Sequence, residues 1–410
     1  MEKAITYFDR YEYSMAYISF KEAGVNQMDS DELLKYIYSC YVIGDFEEVC
    51  RHAEKVASQE ELDSFFLWAF GQSFLATGQK QKAKENYLHY KELIEIDHDF
   101  VDLRLQTLAE INLWDMETFI TNTNVFSNST KGDISGFRSA YGTIKYIEIG
   151  LDSAKSILPK AQIENAELLL LKPRIMSRES TKSMQITLPD SLILASVNSI
   201  SFVPDSDNVF LSYSEPAHNN EINYAPHIYV GKFDATVNRI SDIQKWEFSG
   251  LEDSSSCAHV SINSLGTRMV FSKKKRQSQH ADIYISEKTG NSWGEPRPLN
   301  VVNTKWNEVF PVFQQDGSLC FSSNGRKGYG KLDVYTYSFE SDQIKHLKAP
   351  INGPMDDFNY YEDSLLLGAE YTSNRFNGVG DDDIYRIIYD SVSTELIVAE
   401  NATMQKRSEF

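Results

Sequence analysis

Leu319-Cys320-Phe321-Ser322-Ser323-Asn324-Gly325-Arg326-Lys327-Gly328-Tyr329-Gly330-Lys331-Leu332-Asp333-Val334-Tyr335 decides how the second half of this chain folds. The apolar run ending in small hydroxyl residues reads as a strand. The glycine-rich segment after it reads as a turn, and Asp-Val-Tyr opens the next strand. The same succession recurs as Leu211-Ser212 before His227-Ile228-Tyr229, Phe271-Ser272 before Asp282-Ile283-Tyr284, and Tyr371-Thr372-Ser373 before Asp383-Ile384-Tyr385. Tyr229, Tyr284, Tyr335 and Tyr385 follow one another at steps of 55, 51 and 50 residues. Four strands per about 50 residues is the dimension of one β-propeller blade. The chain's 23 Tyr and 23 Phe fit a large pleated component, because aromatic side chains favour half-buried strand surfaces.

Working towards the N-terminus, Asp133 to Phe137, Thr143 to Ile149 and Leu168 to Leu171 read as an earlier, degenerate copy. Five blades are therefore expected over residues 119–400, with Ser391 to Glu400 either a closing strand or a linker stub and 401–410 a tail. Within each blade, alternation sends the apolar residue of the signature against a neighbouring blade. The aspartate at the start of the strand can accept N–H groups from the glycine-rich turn before it. Tyr229, Asp282, Tyr284, Asp333, Tyr335, Asp383 and Tyr385 are accordingly read as a structural signature. Asp381-Asp382-Asp383 beside Gly378 and Gly380 admits a calcium-binding reading, but its spacing matches no calcium loop and recurrence favours structure.

The first half has a different period. Tyr11, Gly44 and Gly78 are 33 and 34 residues apart, and Ala16, Val49 and Ala83 keep that spacing. A glycine turn followed by a small residue lets a second helix pack closely on a first, and Phe20 and Tyr87 lie one turn further on the same face. Leu67, Phe70, Gly71 and Phe74 give the first-helix pattern of one unit, and Leu33, Tyr36, Ile37 and Cys40 that of another. The pattern resembles the tetratricopeptide repeat, with two departures: Tyr11 stands where a turn glycine belongs, and Ile37 where a small residue belongs. An α-helical TPR solenoid is expected over 1–114, capped by a helix from Phe100 to Trp114 and, by its register, beginning upstream of Met1. Its concave face would carry Tyr38, Tyr41, Trp68 and Gln72 as a candidate partner-binding groove.

Charge and composition narrow the function. With 59 acidic against 40 basic residues and a net charge of −19, the surface repels phosphate backbones and anionic lipid, so no nucleic-acid partner is expected. Lys273-Lys274-Lys275-Arg276 reads as a solvated hairpin tip. Cys40, Cys50, Cys257 and Cys320 show no CxxC spacing, and His218, His227, His259, His280 and His346 no ligand spacing, so neither metal nor cofactor is expected. No Gly-x-Ser-x-Gly nucleophile elbow is present, and Gly328-Tyr329-Gly330 and Gly378-Val379-Gly380 lack the strand-to-helix setting of a nucleotide site, so no catalytic residue is assigned. No run approaches the ~18 apolar residues that span a bilayer.

The order of the two arrays carries a further resemblance. Helical repeats are followed by Trp293-Gly294-Glu295-Pro296, Leu299-Asn300, Val301 to Asn303, Glu308 to Phe313, Asp316-Gly317 and the 319–335 stretch. With Ser373-Asn374-Arg375 and Gly380-Asp381-Asp382-Asp383-Ile384-Tyr385-Arg386, this string resembles the PorE-like periplasmic proteins of the OmpA family in Bacteroidetes, which belong to the type IX secretion system. The resemblance implies a periplasmic, outer-membrane-associated, non-enzymatic scaffold of protein secretion and gliding, with envelope proteins as partners. Such proteins typically continue into a carboxypeptidase-regulatory-like β domain and an OmpA-like domain, so peptidoglycan would be reached only through a C-terminal domain outside these residues. The alternative is a propeller that binds a small ligand or glycan, with Glu215 to Ala225 and Lys273 to His280 as its loops.

Overall fold

A computed structural model describes residues 1–57, 62–94, 99–110, 120–124, 133–138, 145–153, 169–177, 180–189, 196–214, 225–248, 256–275, 278–363, 368–378 and 382–389. Among these residues seven α-helices come first: α1 (Glu2–Asp9), α2 (Tyr13–Ala23), α3 (Ser30–Ile43), α4 (Phe46–Val56), α5 (Ser64–Ala76), α6 (Lys80–Leu93) and α7 (Asp99–Glu110). Their limits follow from local chemistry. Asp29 opens α3 with a reciprocal cap, its Oδ1 accepting the Glu32 N–H at 2.9 Å while Glu32 accepts the Asp29 N–H at 3.0 Å. Gly44 closes α3 at φ 87°, and Asp45 caps α4. Gly78 turns α5 into α6 at φ 75°. Tyr11 adopts the same left-handed turn at φ 62°, a conformation that strains a bulky side chain.

Ala16, Val49 and Ala83 are fully buried in one cluster with Phe20, Tyr36, Ile37, Phe70 and Tyr87. Gly71 shows why a small residue is needed on the first helix, since a methyl group there would lie 2.5 Å from Cε1 of Tyr87. In the preceding hairpin the sizes are exchanged: Ile37 is the large buried residue on α3 and Ala53 the small one on α4. The departure at Ile37 is thus a volume swap across the same interface.

Among the described residues twenty-one strands follow, paired into five antiparallel sheets. β1 (Ile120–Asn124) is considered with the last of them. β2 (Asp133–Arg138), β3 (Lys145–Ser153), β4 (Leu169–Ser177) and β5 (Ser180–Gln185) pair in chain order. So do β6 (Ser196–Phe202), β7 (Asn208–Ser214), β8 (Pro226–Asp234) and β9 (Arg239–Lys245). The next sheet runs β10 (Ser256–Ile262), β11 (Arg268–Lys274), β12 (Ala281–Thr289) and the short β13 (Ser292–Trp293), with β14 (Arg297–Pro298) also on β12. β15 (Glu308–Phe313), β16 (Leu319–Ser323), β17 (Asp333–Ser338) and β18 (Gln343–His346) form another. The last contains β19 (Asp357–Asp363), β20 (Gly368–Ser373) and β21 (Asp383–Tyr389), with β1 paired outside β21 from Ile120↔Tyr389 to Asn124↔Tyr385. The outer strand of the last sheet therefore comes from upstream of all the others, and Ser391 to Glu400 lies outside the described residues.

Side-chain packing among the described residues gives a propeller-like arrangement of four blades, built on β6–β9, β10–β14, β15–β18 and β19–β21 with β1. Five were expected. The difference is the β2–β5 sheet, the expected degenerate copy, which is described by backbone pairing alone. The four blades interlock through shared apolar clusters. Ile228, Ile283 and Val334, the central residues of three signatures, pack with the blade that follows. Tyr284, Tyr335 and Tyr385, one residue after the central position of their own signatures and in phase with the aspartates two residues before them, pack with the blade before. A period of two thus makes one tripeptide bind both neighbours.

Two substitutions with opposite signs test the helical turns. Tyr11, at 79% exposure, has little packing to lose, so Tyr11→Gly should stabilise the protein by about 1 kcal/mol by relieving backbone strain. Gly71→Ala should destabilise it by about 1–3 kcal/mol, because Tyr87 has no room to yield. Urea unfolding of the two variants beside the parent protein measures both.

Candidate functional site

The blade signature fixes the loops that reach the helices. Asp333 is buried, its Oδ1 accepts the Tyr329 N–H at 2.9 Å, and its Oδ2 accepts the Gly330 N–H at 3.1 Å. His346 approaches the same carboxylate at 3.2 Å and also meets Asn352 at 3.1 Å. Gly328 has to be glycine, because a methyl group there would sit 2.3 Å from Asp333 Oδ2; Gly378 stands in the same relation to Asp383 at 2.1 Å. Asp333 and Asp383 pair in register with Ser323 and Ser373. Asp282 departs from this pattern: it is half-buried opposite Lys273, and burial raises its pKa against the pull of Lys275 and His280. Tyr229, Tyr284, Tyr335 and Tyr385 stack across the strands on Tyr213, Phe271, Phe321 and Tyr371, with ring centroids 3.8, 6.1, 5.7 and 5.8 Å apart.

Several stitches escaped the sequence reading. Asn303 accepts the Ile283 N–H at 2.8 Å and donates to the Ile283 carbonyl at 2.9 Å; Asn352 does the same to Val334 at 2.7 and 2.8 Å. Each asparagine side chain extends the sheet of the preceding blade as a one-residue strand would. Arg326 donates to the carbonyl of Val302, and Arg375 to those of Pro350 and Ile351, so the arginine after the second strand holds the inter-blade linker. Arg375 also meets the buried Asp357 at 2.8 Å; burial pushes that carboxyl up while the guanidinium pulls it down. Glu308 occupies the matching position, accepting from Thr304 and Ser323. The available signal was the match of Asn324-Gly325-Arg326 to Asn374-Arg375, which marked a common loop without showing what it holds.

These loops lie against the helical array. Phe100 packs on Trp306 at 5.0 Å, Asp99 pairs with Lys305 and Glu110 with Lys327. Arg104 donates to the carbonyl of Gly328 at 3.2 Å. Lys331 stands 5.9 Å over the ring of Tyr41, Met355 packs on Gly44, and Phe376 meets Tyr17 edge-on at 6.4 Å. The residues proposed as a partner groove are placed accordingly. Tyr41 is buried under the propeller loops, and burial raises its pKa to about 12. Trp68 packs between Tyr87, Tyr90 and Phe100, and through Phe100 reaches Trp306. Tyr38 packs against Phe8, Tyr13 and Phe65 of neighbouring helices, and Gln72 is buried within α5. The propeller of the same chain therefore covers part of that face.

Of the proposed ligand loops, most of Glu215 to Ala225 lies outside the described residues. Lys273, read as part of a solvated tip, is instead buried in β11, its ammonium 5.7 and 5.2 Å from the Phe248 and Tyr284 rings. At the inner strands, His259, Phe310 and Asn359 each take positive φ, at 56°, 50° and 55°, within the bulges of β10, β15 and β19. His259 stacks on Phe310 at 3.8 Å, and Phe310 on Phe358 at 4.4 Å. Among the described residues no three His, Cys, Asp or Glu side chains are grouped to hold a metal.

No protein-family model matches the chain, and no curated protein matches it. Similar solved structures include a putative TolB from Agrobacterium tumefaciens, 11% identical over 63% of this chain and 78% of that one, with a TM-score of 0.37. A thermostable family-43 glycoside hydrolase is 12% identical over 64% and 92%, with a TM-score of 0.40. A Trypanosoma rangeli sialidase mutant displaying trans-sialidase activity is 9% identical over 71% and 62%, with a TM-score of 0.38. At this level of likeness the fold rests on the strand pairing itself.

Asp333→Asn, which exchanges a charged acceptor of two N–H groups for a neutral amide, should cost about 1.5–3 kcal/mol of stability in urea unfolding. His259 gives a pH signature. Burial lowers its pKa from 6.5 to about 3, so its neutral form favours the folded state. That contribution is complete above pH 6.5 and is lost as pH falls towards 3. His259→Gln should flatten the acid limb of a plot of melting temperature against pH.

Proposed function

We propose that the chain is a non-catalytic protein-interaction scaffold of a cell envelope, a PorE-like component of type IX secretion. In this reading the helices are TPR-like repeats and the β2–β5 sheet completes a five-bladed ring. The same four-strand antiparallel order in that sheet supports the fifth blade. The observation that carries the scaffold reading is the use of the recurrent polar residues. Asp333, Asn303, Asn352, Arg326, Arg375 and Glu308 hold blades and loops in place, and the loops they hold lie against the helices. A body built this way presents surfaces at fixed relative positions, which is what a scaffold requires.

In a sheet of antiparallel strands in chain order, the turns joining first to second and third to fourth strands lie at the edge opposite the loops that meet the helices. Leu265, 78% exposed, and Val237, 61% exposed, stand on such turns. This opposite face is the partner surface in our reading, with the periplasm as its compartment and envelope proteins as its partners. The glycan-binding alternative places the ligand on the propeller instead and involves no protein capture.

A pull-down from a Bacteroidetes envelope extract tests the proposal. Wild-type protein should retain a specific envelope protein, and a Leu265→Asp, Val237→Asp double variant should retain at least tenfold less while melting normally. Recovery of cytoplasmic proteins alone, or saturable glycan binding without protein capture, would count against it.

A further inference from the structure

Among the described residues Arg104 forms no ion pair. Its guanidinium is fully buried between α7 and the 328–331 loop, where Nη1 reaches the Gly328 carbonyl while Nε and Nη2 have no hydrogen-bond acceptor. The hydroxyl of Tyr87, also fully buried, likewise has no partner. The two residues belong to one aromatic cluster, in which Trp68 lies 5.4 Å from the Tyr87 ring and 4.8 Å from the Phe100 ring that Arg104 packs on; the Arg104 charge also opposes the upward shift that burial imposes on the Tyr87 hydroxyl. Phe100 covers the guanidinium at 5.1 Å.

The nearby carboxylates are engaged elsewhere. On α7, Asp99 pairs with Lys305, Asp102 with Lys91, and Glu110 with Lys327. On the facing loops, Asp333 holds Tyr329, Gly330 and His346, and Asp356 holds Leu332 and Asn374. Lys331 over Tyr41 adds a second cation to the same seam. Burying an ionised group without a counter-charge is strongly unfavourable, and native proteins pair such groups or bring in an ion.

We propose that the helix–propeller seam binds a compact monovalent anion of halide size, accepted by Arg104 Nε and Nη2 with the Tyr87 hydroxyl as a further donor. Its effect would be to lock the seam, because an anion that binds only the folded, docked form stabilises that form by mass action. The site is independent of the partner reading above.

The test is thermal unfolding of the whole chain at constant ionic strength while sodium chloride replaces sodium gluconate, whose anion is too bulky for the seam. Wild-type protein should show a saturating rise of several degrees in melting temperature with chloride. Arg104→Gln should abolish the difference between the two salts, and Tyr87→Phe should at least halve it without loss of folding. Should Arg104→Gln not fold, Tyr87→Phe and a bromide-soaked crystal decide: an anomalous peak beside Arg104 supports the site. Equal melting in both salts, a chloride response unchanged in Tyr87→Phe, or bromide peaks only elsewhere would overturn it.

Discussion

Asp333 accepts the N–H groups of Tyr329 and Gly330, and the carbonyl just before them, that of Gly328, is the one Arg104 reaches from α7. A single buried carboxylate thereby shapes the loop on which the two arrays meet. Its dependents extend both ways along the chain. Within the propeller, Val334 packs into the next blade and Tyr335 into the previous one. Across the seam, Trp306, Lys331 and Met355 come from loops of the same face and touch Phe100, Tyr41 and Gly44. Repeat arrays are usually stabilised by contacts between nearest neighbours along one dimension. Here two arrays of different period are also tied side to side.

The tie explains why the polar residues of the blades recur. A propeller blade exposes linker backbone at each junction, and buried N–H and C=O groups need partners. Asn303 and Asn352 act as surrogate strand residues, and Arg326 and Arg375 satisfy linker carbonyls. The same side chains at the same stations in successive blades solve one backbone problem twice. This accounts for their recurrence.

Much of this was legible from spacing. Gly44 and Gly78 mark real left-handed turns, and the anomaly at Tyr11 is a tyrosine forced into the same turn. The proposed acceptance of turn N–H groups holds at Asp333, whereas Asp282 follows a shorter loop without glycine and stands opposite Lys273 instead. Other features could not be read locally. β1 joins β21 across nearly the whole propeller, and Ile120 to Asn124 carries no signature of its own. Tyr41 and Trp68 were placed on a groove-facing register, but no sequence pattern tells what covers a face. Arg104 resembled any surface arginine on an amphipathic helix, because burial at a domain seam depends on a loop more than two hundred residues away.

The seam holds helices and propeller as one body. The most direct measurement is the distance distribution between spin labels placed at Leu88 on α6 and Val237 on the far side of the propeller, both exposed. One narrow distribution is expected for the otherwise wild-type protein, and a broad one when Asp333→Asn loosens the 328–330 loop. A broad distribution in the wild-type background, or a narrow one that ignores the substitution, would contradict it.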